Sequence, residues 1–220
     1  MRIVTIPTNC CRLWCYLRLI NIGEGVSLPL FLLMNYIIIG AMDGVSFDNI
    51  FDKLTKDDVA LFVEPIPHQF KKLQKNVEKL PCKVYLENSV VSDRIEDIIM
   101  AYLPDAEDFL GGCSSVVKYG IPLNRYLAKI DELSYHEAKA ITFDMLCEKY
   151  GFEEVDYVQV DCEGYDQVIV DSIDINKYKI KQLKFELHYV DNEFLIYFQH
   201  KTNPSNIVFL EADIIYEYTF

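Results

Sequence analysis

A chain of 220 residues, 51% of them hydrophobic, holds enough apolar side chain for one α/β domain with a full core and leaves little for a second. A net charge of −13 with a pI near 4.7 excludes a protein that grips nucleic acid by neutralising phosphates, and favours a small-molecule or glycan partner. Seven cysteines with no CxxC pair and no paired His/Cys spacing argue against a disulfide framework or a zinc site, so the thiols read as core residues of a protein in a reducing, cytoplasmic compartment.

Residues 1–34 form an N-terminal extension of unclear role, ahead of a domain spanning 35–220. Arg2, Arg12 and Arg18 precede the first acid, Glu24, as in a weak targeting segment, and apolar runs surround Cys10, Cys11 and Cys15. No small-residue cleavage site follows a clean apolar core. The charge-free run from Val26 to Met42 is shorter than the ~20 residues of a membrane span and includes the first core strand. An extra helix or strand on the domain edge is therefore expected, with no membrane partner.

From Asn35 the pattern alternates between strands and helices. Tyr36 to Ile39 reads as a buried strand that breaks into the loop Gly40-Ala41-Met42-Asp43-Gly44, where glycines let a ligand approach the backbone. A helix through Phe47, Ile50, Phe51 and Leu54 follows, with Ser46 placed to cap it and Asp48 in its first turn. The second strand, Val59 to Glu64, ends on a carboxylate about 20 residues after the first, the spacing that lets an acid grip both hydroxyls of a ribose. Pro65-Ile66-Pro67 then turns into a helix through Phe70, Leu73, Val77 and Leu80, stopped by Pro81. Lys83 to Leu86 is the third strand and leads to Val90-Val91-Ser92-Asp93. Between Arg94 and Lys139, Pro104, Gly111-Gly112 and Pro122 break any period and no element is assigned; such inserts commonly carry substrate contacts. Thr142 caps a helix carrying Phe143, Leu146, Cys147 and Tyr150, ended by Gly151. Strand four is Tyr157 to Asp161, a helix surrounds Val168, Ile169 and Ile173, strand five is Leu183 to Leu187, and Ile207 to Tyr218 supplies one or two more strands.

Such alternation predicts a mostly parallel, doubly wound sheet with its ligand beyond the C-terminal strand ends. Glu64, Ser92, Asp93, Asp161, Glu163 and His188 all fall at or just past those ends. Asp161 and Glu163 are placed to act as general base, to orient a substrate or to hold a divalent cation. No metal is assigned, because no third and fourth ligand can be named. His188 carries the side chain type that exchanges a proton near neutral pH and is the further candidate base. Glu186, inside an apolar strand, is read as a cap or an orienting group.

The blocks Ile39-Gly40-Ala41-Met42-Asp43-Gly44, Val63-Glu64-Pro65-Ile66-Pro67 with Leu73 and Asn76, Val91-Ser92-Asp93, and Asp156 to Asp166 with Asp161-Cys162-Glu163-Gly164 at their centre resemble the FkbM-type methyltransferases, a family of S-adenosylmethionine-dependent O-methyltransferases. The resemblance runs in order over Asn35 to Tyr189, apart from the unassigned insert. It implies the seven-stranded, Rossmann-like methyltransferase sheet, S-adenosyl-L-methionine as cofactor, and O-methylation of a hydroxyl on a sugar, glycan or small metabolite. It places Gly40, Ala41, Asp43 and Gly44 in the cofactor loop, Glu64 with Pro65 at the ribose, Ser92 with Asp93 beside the adenine, and Asp161 with both cofactor and chemistry. Asp161, Glu163 and His188 are the catalytic candidates. One position departs from the family pattern: Ile38 stands where an acid usually precedes the loop. That favours the alternative of a non-catalytic nucleoside-binding or partner-binding module with a degenerate methyltransferase fold. A nicotinamide dehydrogenase would also use the loop and Glu64, but Met42 breaks G-x-G-x-x-G.

Overall fold

The computed structural model describes residues 4–5, 33–46, 49–104, 112–117, 127–129 and 131–220. Most of the N-terminal extension, including Cys10, Cys11 and Cys15, lies outside the described residues, as do Phe47, Asp48, Gly111 and Pro122. In chain order the elements are β1 (Val4–Thr5), β2 (Asn35–Ile39), β3 (Val59–Val63), α1 (Pro67–Val77), β4 (Lys83–Glu87), β5 (Val90–Val91), β6 (Asp97–Tyr102), β7 (Ser115–Val117), β8 (Ser134–Ile141), α2 (Phe143–Tyr150), β9 (Tyr157–Val160), α3 (Asp166–Ser172), β10 (Gln182–Glu186), α4 (Asn192–Thr202), β11 (Asn206–Phe209) and β12 (Asp213–Glu217).

The main sheet runs β1-β11-β12-β10-β9-β2-β3-β4, seven strands with the two-residue β1 as an eighth at one edge. Strands β10, β9, β2, β3 and β4 pair in parallel, whereas β12 is antiparallel to both β10 and β11. The sheet is thus mixed. A tight turn in which the Leu210 amide donates to the Asp213 carbonyl at 2.8 Å joins β11 to β12, and so short a link permits only antiparallel strands. From β2 the chain moves outward one way through β3 and β4, then returns to lay β9 and β10 on the other side. The order therefore reverses between β2 and β9, the place where open α/β sheets bind ligands.

Central strands are buried on both faces, as parallel strands covered by helices must be. Ile37, Ile39, Leu61, Val63, Val158 and Val160 belong to one core cluster, and Tyr36, Ile38, Ala60, Phe62 and Tyr157 to the other. Helix α1 starts on Pro67, whose missing N–H costs nothing there, and buries Gln69, Leu73 and Val77 at four-residue spacing. Helix α2 is capped as expected: Thr142 Oγ1 accepts from the Met145 amide at 3.2 Å, and Gly151 closes it with φ 75°.

The structure differs from the sequence reading in three places. After the glycine loop there is one 3-10 turn, Ile50–Lys53, in place of a longer helix. Asn49, not Ser46, stands at the start of that turn, and the Ser46 hydroxyl donates to Asp43 Oδ2 at 2.5 Å and its amide to Asp43 Oδ1 at 2.9 Å. The described residues of the unassigned insert supply β6, β7 and most of β8, which with β5 ahead of them form a second, four-stranded sheet, β5-β8-β6-β7, held mainly by the antiparallel ladder of β6 and β8. Helix α4 has no counterpart in the sequence reading. Asp191 caps it, accepting from the Phe194 amide at 2.6 Å, but its apolar run from Phe194 to Phe198 is continuous and hides the helical period. Only Phe194 and Phe198, four residues apart, are buried, while Ile196 and Tyr197 face outward. Tyr216 and Tyr218 of the tail are core residues.

Of the described cysteines, Cys113 and Cys147 are buried, Cys82 and Cys162 partly so, and none forms a disulfide. Among the described residues no helix is long and apolar enough to cross a membrane.

Candidate functional site

A cavity of about 420 Å³ opens at the C-terminal ends of β2, β3, β9 and β10, within the size range of small-ligand sites. Its floor is the glycine loop. The Gly40 and Ala41 amides both donate to the Val63 carbonyl at 3.0 Å, and the Gly44 amide to the Ala41 carbonyl at 2.8 Å. Gly40 has φ 81°, and a Cβ there would lie 1.8 Å from the Asp161 carbonyl oxygen. Only glycine lets β2 and β9 meet so closely.

Glu64 is 4% exposed and holds the loop from the side of β3. Its Oε2 accepts from the Met42 amide at 2.8 Å and its Oε1 from the Ile66 amide at 2.7 Å. Met42 has φ 49°, a strained conformation for a side-chain-bearing residue, and the carboxylate bond sustains it. Burial pushes the Glu64 carboxyl up to about 7, against the pull of those two amides. Each oxygen retains a second lone-pair direction for a ligand hydroxyl. Asp43 is turned onto its own loop: Oδ1 accepts from the Val45 and Ser46 amides at 3.0 and 2.9 Å. Burial alone would raise its carboxyl, and the hydrogen bonds from Ser46 and these amides outweigh it, holding it below the usual range.

Opposite the loop, β9 runs into Asp161-Cys162-Glu163-Gly164. Glu163 and Gly164 have φ 51° and 104°, two left-handed residues in succession. The turn is held by Asp166 at the start of α3, which accepts from the Cys162 amide at 3.2 Å and the Gly164 amide at 3.2 Å. Burial first, then the Asp161 charge, pushes the Asp166 carboxyl well above the carboxylate range. Burial and the Asp166, Asp161 and Glu64 carboxylates likewise raise the Cys162 thiol, which excludes a reactive thiolate.

Gly40, Ala41, Asp43, Gly44, Glu64, Pro65, Asp161, Glu163 and His188 all line the cavity. Ser92 and Asp93 do not. Ser92 is fully buried behind the wall, its hydroxyl 2.9 Å from Tyr165 Oη and 3.1 Å from Asp93 Oδ1, and Asp93 pairs with Arg94 at 2.5 Å. Ser89, Val90 and Val91 face the cavity at that end. Ser89 is 5% exposed and its Oγ has no hydrogen-bond partner among the described residues. The insert sheet closes one side with Met100, Cys113 and Val116.

Sequence reasoning gave no site role to Ser89, Tyr165 or Asp166, whereas the insert, expected to carry contacts, does line the cavity. Asp166 had a legible signal, an acid in the first turn of a helix directly after a glycine turn. Ser89 had none, since a serine in a short connection points either way. Among the described residues no group of three or more His, Cys, Asp or Glu side chains is set to hold a metal ion.

A model of the methyltransferase FkbM domain matches residues 39–213, which include the loop, Glu64, the Asp161 turn and His188. No curated protein sequence matches the chain. Solved structures similar in fold include the human methyltransferase 10 domain containing protein (11% identity, TM-score 0.43, covering 86% of this chain and 73% of that one). The N-terminal domain of human METTL16 in complex with SAH aligns at 12% identity and TM-score 0.41, over 86% of this chain and 63% of that one. A SAM-dependent methyltransferase from Leishmania major aligns at 10% identity and TM-score 0.43, over 87% and 66%.

Proposed function

The chain belongs to the FkbM methyltransferase family, and from that premise we propose that it moves the methyl group of S-adenosylmethionine to a hydroxyl oxygen of a sugar, glycan or small metabolite. The cofactor supplies an electrophilic methyl on a sulfonium; the chain's own residues bind, orient and take up the proton. The observation that carries this reading is the cavity at the strand reversal, whose walls hold a buried carboxylate on a glycine loop at one point and His188 with two further acids at another.

In this reading the 40–44 loop lies along the methionine portion, Glu64 accepts from the ribose hydroxyls beside Pro65, and Ser89 to Val91 face the adenine, with Ser92 and Asp93 bracing that wall through Tyr165. Asp161 and Glu163 place the acceptor, and His188 or one of these carboxylates takes its proton as the bond forms. In-line placement of nucleophile, methyl carbon and leaving sulfur supplies much of the rate gain. The loop's lack of a dinucleotide glycine pattern disfavours NAD. Calorimetry with S-adenosylmethionine, S-adenosylhomocysteine and NAD, followed by mass spectrometry of sugar acceptors, tests the whole reading.

Glu64 makes binding pH-dependent. Its ionised form is the stronger acceptor for ribose hydroxyls, and the carboxyl titrates at about 7, so cofactor affinity rises as pH climbs through that value and levels off above it. Without cofactor the sign reverses: the unfolded chain ionises first, so this group's contribution to stability is lost between the ordinary carboxylate range and about 7. Titrations and melts from pH 5 to 8, with Glu64→Gln as control, check both slopes.

Asp161→Asn and Glu163→Gln preserve shape and remove charge. We expect cofactor affinity to stay within about tenfold while turnover falls roughly a hundredfold or more. Variants that keep full turnover on a true acceptor would move the chemistry to His188, and activity that survives metal depletion would exclude an ion from this step.

The reading of a non-catalytic module rests on Ile38, 3% exposed and part of the cavity lining beside Phe62 and Gln159. Restoring the acid decides its weight. Ile38→Asp should tighten cofactor binding by about tenfold through a charge-assisted contact while lowering stability, because it buries a carboxylate in an apolar strand. Normal folding with unchanged affinity would show that the missing acid is compensated.

A further inference from the structure

Positive charge is unevenly placed in this acidic protein. From Arg94 to Lys201 every lysine and arginine side chain that the structure describes pairs with a carboxylate. On α1 and the turn that follows it the lysines do not: Lys71, Lys72, Lys75 and Lys79 are exposed and form no ion pair among the described residues. At about 3.6 residues per turn these four fall within about a third of the helix circumference, on the side away from the buried Leu73 and Val77. The helix dipole accounts for Lys75 and Lys79 near the C-terminal end, and for neither Lys71 nor Lys72 in the middle. Lys56, just ahead of β3, and Lys83, opposite Val59 at the start of β4, add exposed and unpaired charge at the end of the sheet where α1 finishes, outweighing the exposed acids Asp52, Asp57 and Glu78 of the same stretch. At its other end the row meets the cavity. Asn76 Nδ2, one turn on from Lys72, donates to the Asp43 carbonyl at 2.8 Å, and the Lys72 charge reaches the Asp43 carboxylate. Val45, 51% exposed, and Ser46 line the cavity on that same loop, so α1 flanks its rim.

We propose that the lysine face of α1 is the docking surface for an acidic glycan, a chain carrying carboxylate or sulfate groups, which crosses the rim so that an uncharged unit enters the cavity. The assignment rests on the glycan-acceptor reading above. Lysine ammonium groups on flexible stems are point charges that adapt to the spacing of the anions they meet. The 11 residues of α1 give the chain a track of about 16 Å. A net charge of −13 repels any broad anionic surface, such as a bilayer or a duplex, because it brings the acidic remainder of the protein within range. A thin chain confined to the row avoids that repulsion, since screening reduces it beyond about 8 Å at about 0.15 M salt. The cavity itself, lined by Asp43, Glu64, Asp161, Glu163 and Glu186, admits the uncharged unit and repels an anionic one.

The test is calorimetry on the full chain with a heparin hexasaccharide at about 0.15 M salt, alongside a glutamate hexapeptide and phosphatidylserine vesicles. The wild type should bind the heparin fragment, more weakly as salt rises, and the triple variant Lys71→Gln, Lys75→Gln, Lys79→Gln should lose about tenfold or more of that affinity while binding S-adenosylmethionine as the wild type does. No binding of heparin at this salt, or a triple variant that binds it unchanged, overturns the proposal. Equal or tighter binding of the acidic peptide or of the vesicles also overturns it, in favour of a protein or a membrane partner. If circular dichroism shows that the triple variant does not fold, the wild-type ranking of the three probes decides. The titration contains no cofactor, so it reads docking alone. If S-adenosylmethionine binds but no glycan is methylated, the methyl-transfer reading fails and the heparin titration still decides the docking surface.

Discussion

Replacing Glu64 with Ala should lower affinity for S-adenosylmethionine by about 2–4 kcal/mol, roughly 30- to 1,000-fold, through the loss of two charge-assisted hydrogen bonds to the ribose. The structure adds a second route to the same loss. The carboxylate ties the Met42 amide of the loop and the Ile66 amide ahead of α1, so its removal also releases a backbone segment that Met42 holds at φ 49°. Glu64→Gln separates the two effects, because an amide oxygen can keep one backbone bond while the charge is gone. Calorimetry on the wild type and both variants should therefore rank them wild type, Gln, Ala. An Ala variant that binds as tightly as the wild type would place the nucleoside elsewhere on the molecule.

Among the described glycines, Gly40→Ala should be the most damaging change. The added Cβ would stand 1.8 Å from the Asp161 carbonyl oxygen, 2.8 Å from its carbon and 3.2 Å from Cys162 Sγ, at a residue with φ 81°. The two nearest obstacles are backbone, and the Asp161 amide is itself bonded to the Ile39 carbonyl at 3.0 Å, so relief requires β2 and β9 to part at the strand reversal. A loss of about 4 kcal/mol or more is expected, visible as a large drop in the urea midpoint. Gly151→Ala is the matched control. Its φ is 75°, yet an added Cβ there meets nothing within 4 Å, so only the backbone strain of about 1 kcal/mol should appear. Equal losses at the two positions would remove close strand approach as the reason for Gly40.

Much of this frame is legible in the chain because it rests on short-range rules. The runs Tyr36 to Ile39 and Leu61 to Val63 have the strand length and bulk of central strands, Thr142 and Gly151 bracket α2 as caps, and Glu64 sits at the ribose-acid distance from the loop. One helical reading went astray and one helix, α4, went unread. Ser46 was taken by Asp43, and the continuous apolar run of α4 concealed that only Phe194 and Phe198 are buried. The insert was illegible because strands such as β6 find their partners across tens of residues: Asp97 lies opposite Lys139. Periodicity within a strand carries no record of which distant strand pairs with it.

What the sequence by itself determined is the order of β2, β3, α1, β4, α2, β9, α3 and β10, the glycine loop with its acid, and the Asp161-Cys162-Glu163-Gly164 turn, since each follows from spacing along a few neighbouring residues. Only the tertiary structure decided which side chains look into the cavity. It turned Asp43 onto its own loop, set Ser92 and Asp93 behind the wall while Ser89 faces inward, gave the Glu163 turn to Asp166, and joined Glu186 to His188 with one carboxylate oxygen left over. Facing depends on contacts with strands and helices remote in the chain, and hydrogen-bond partners are settled only when burial removes water as the alternative.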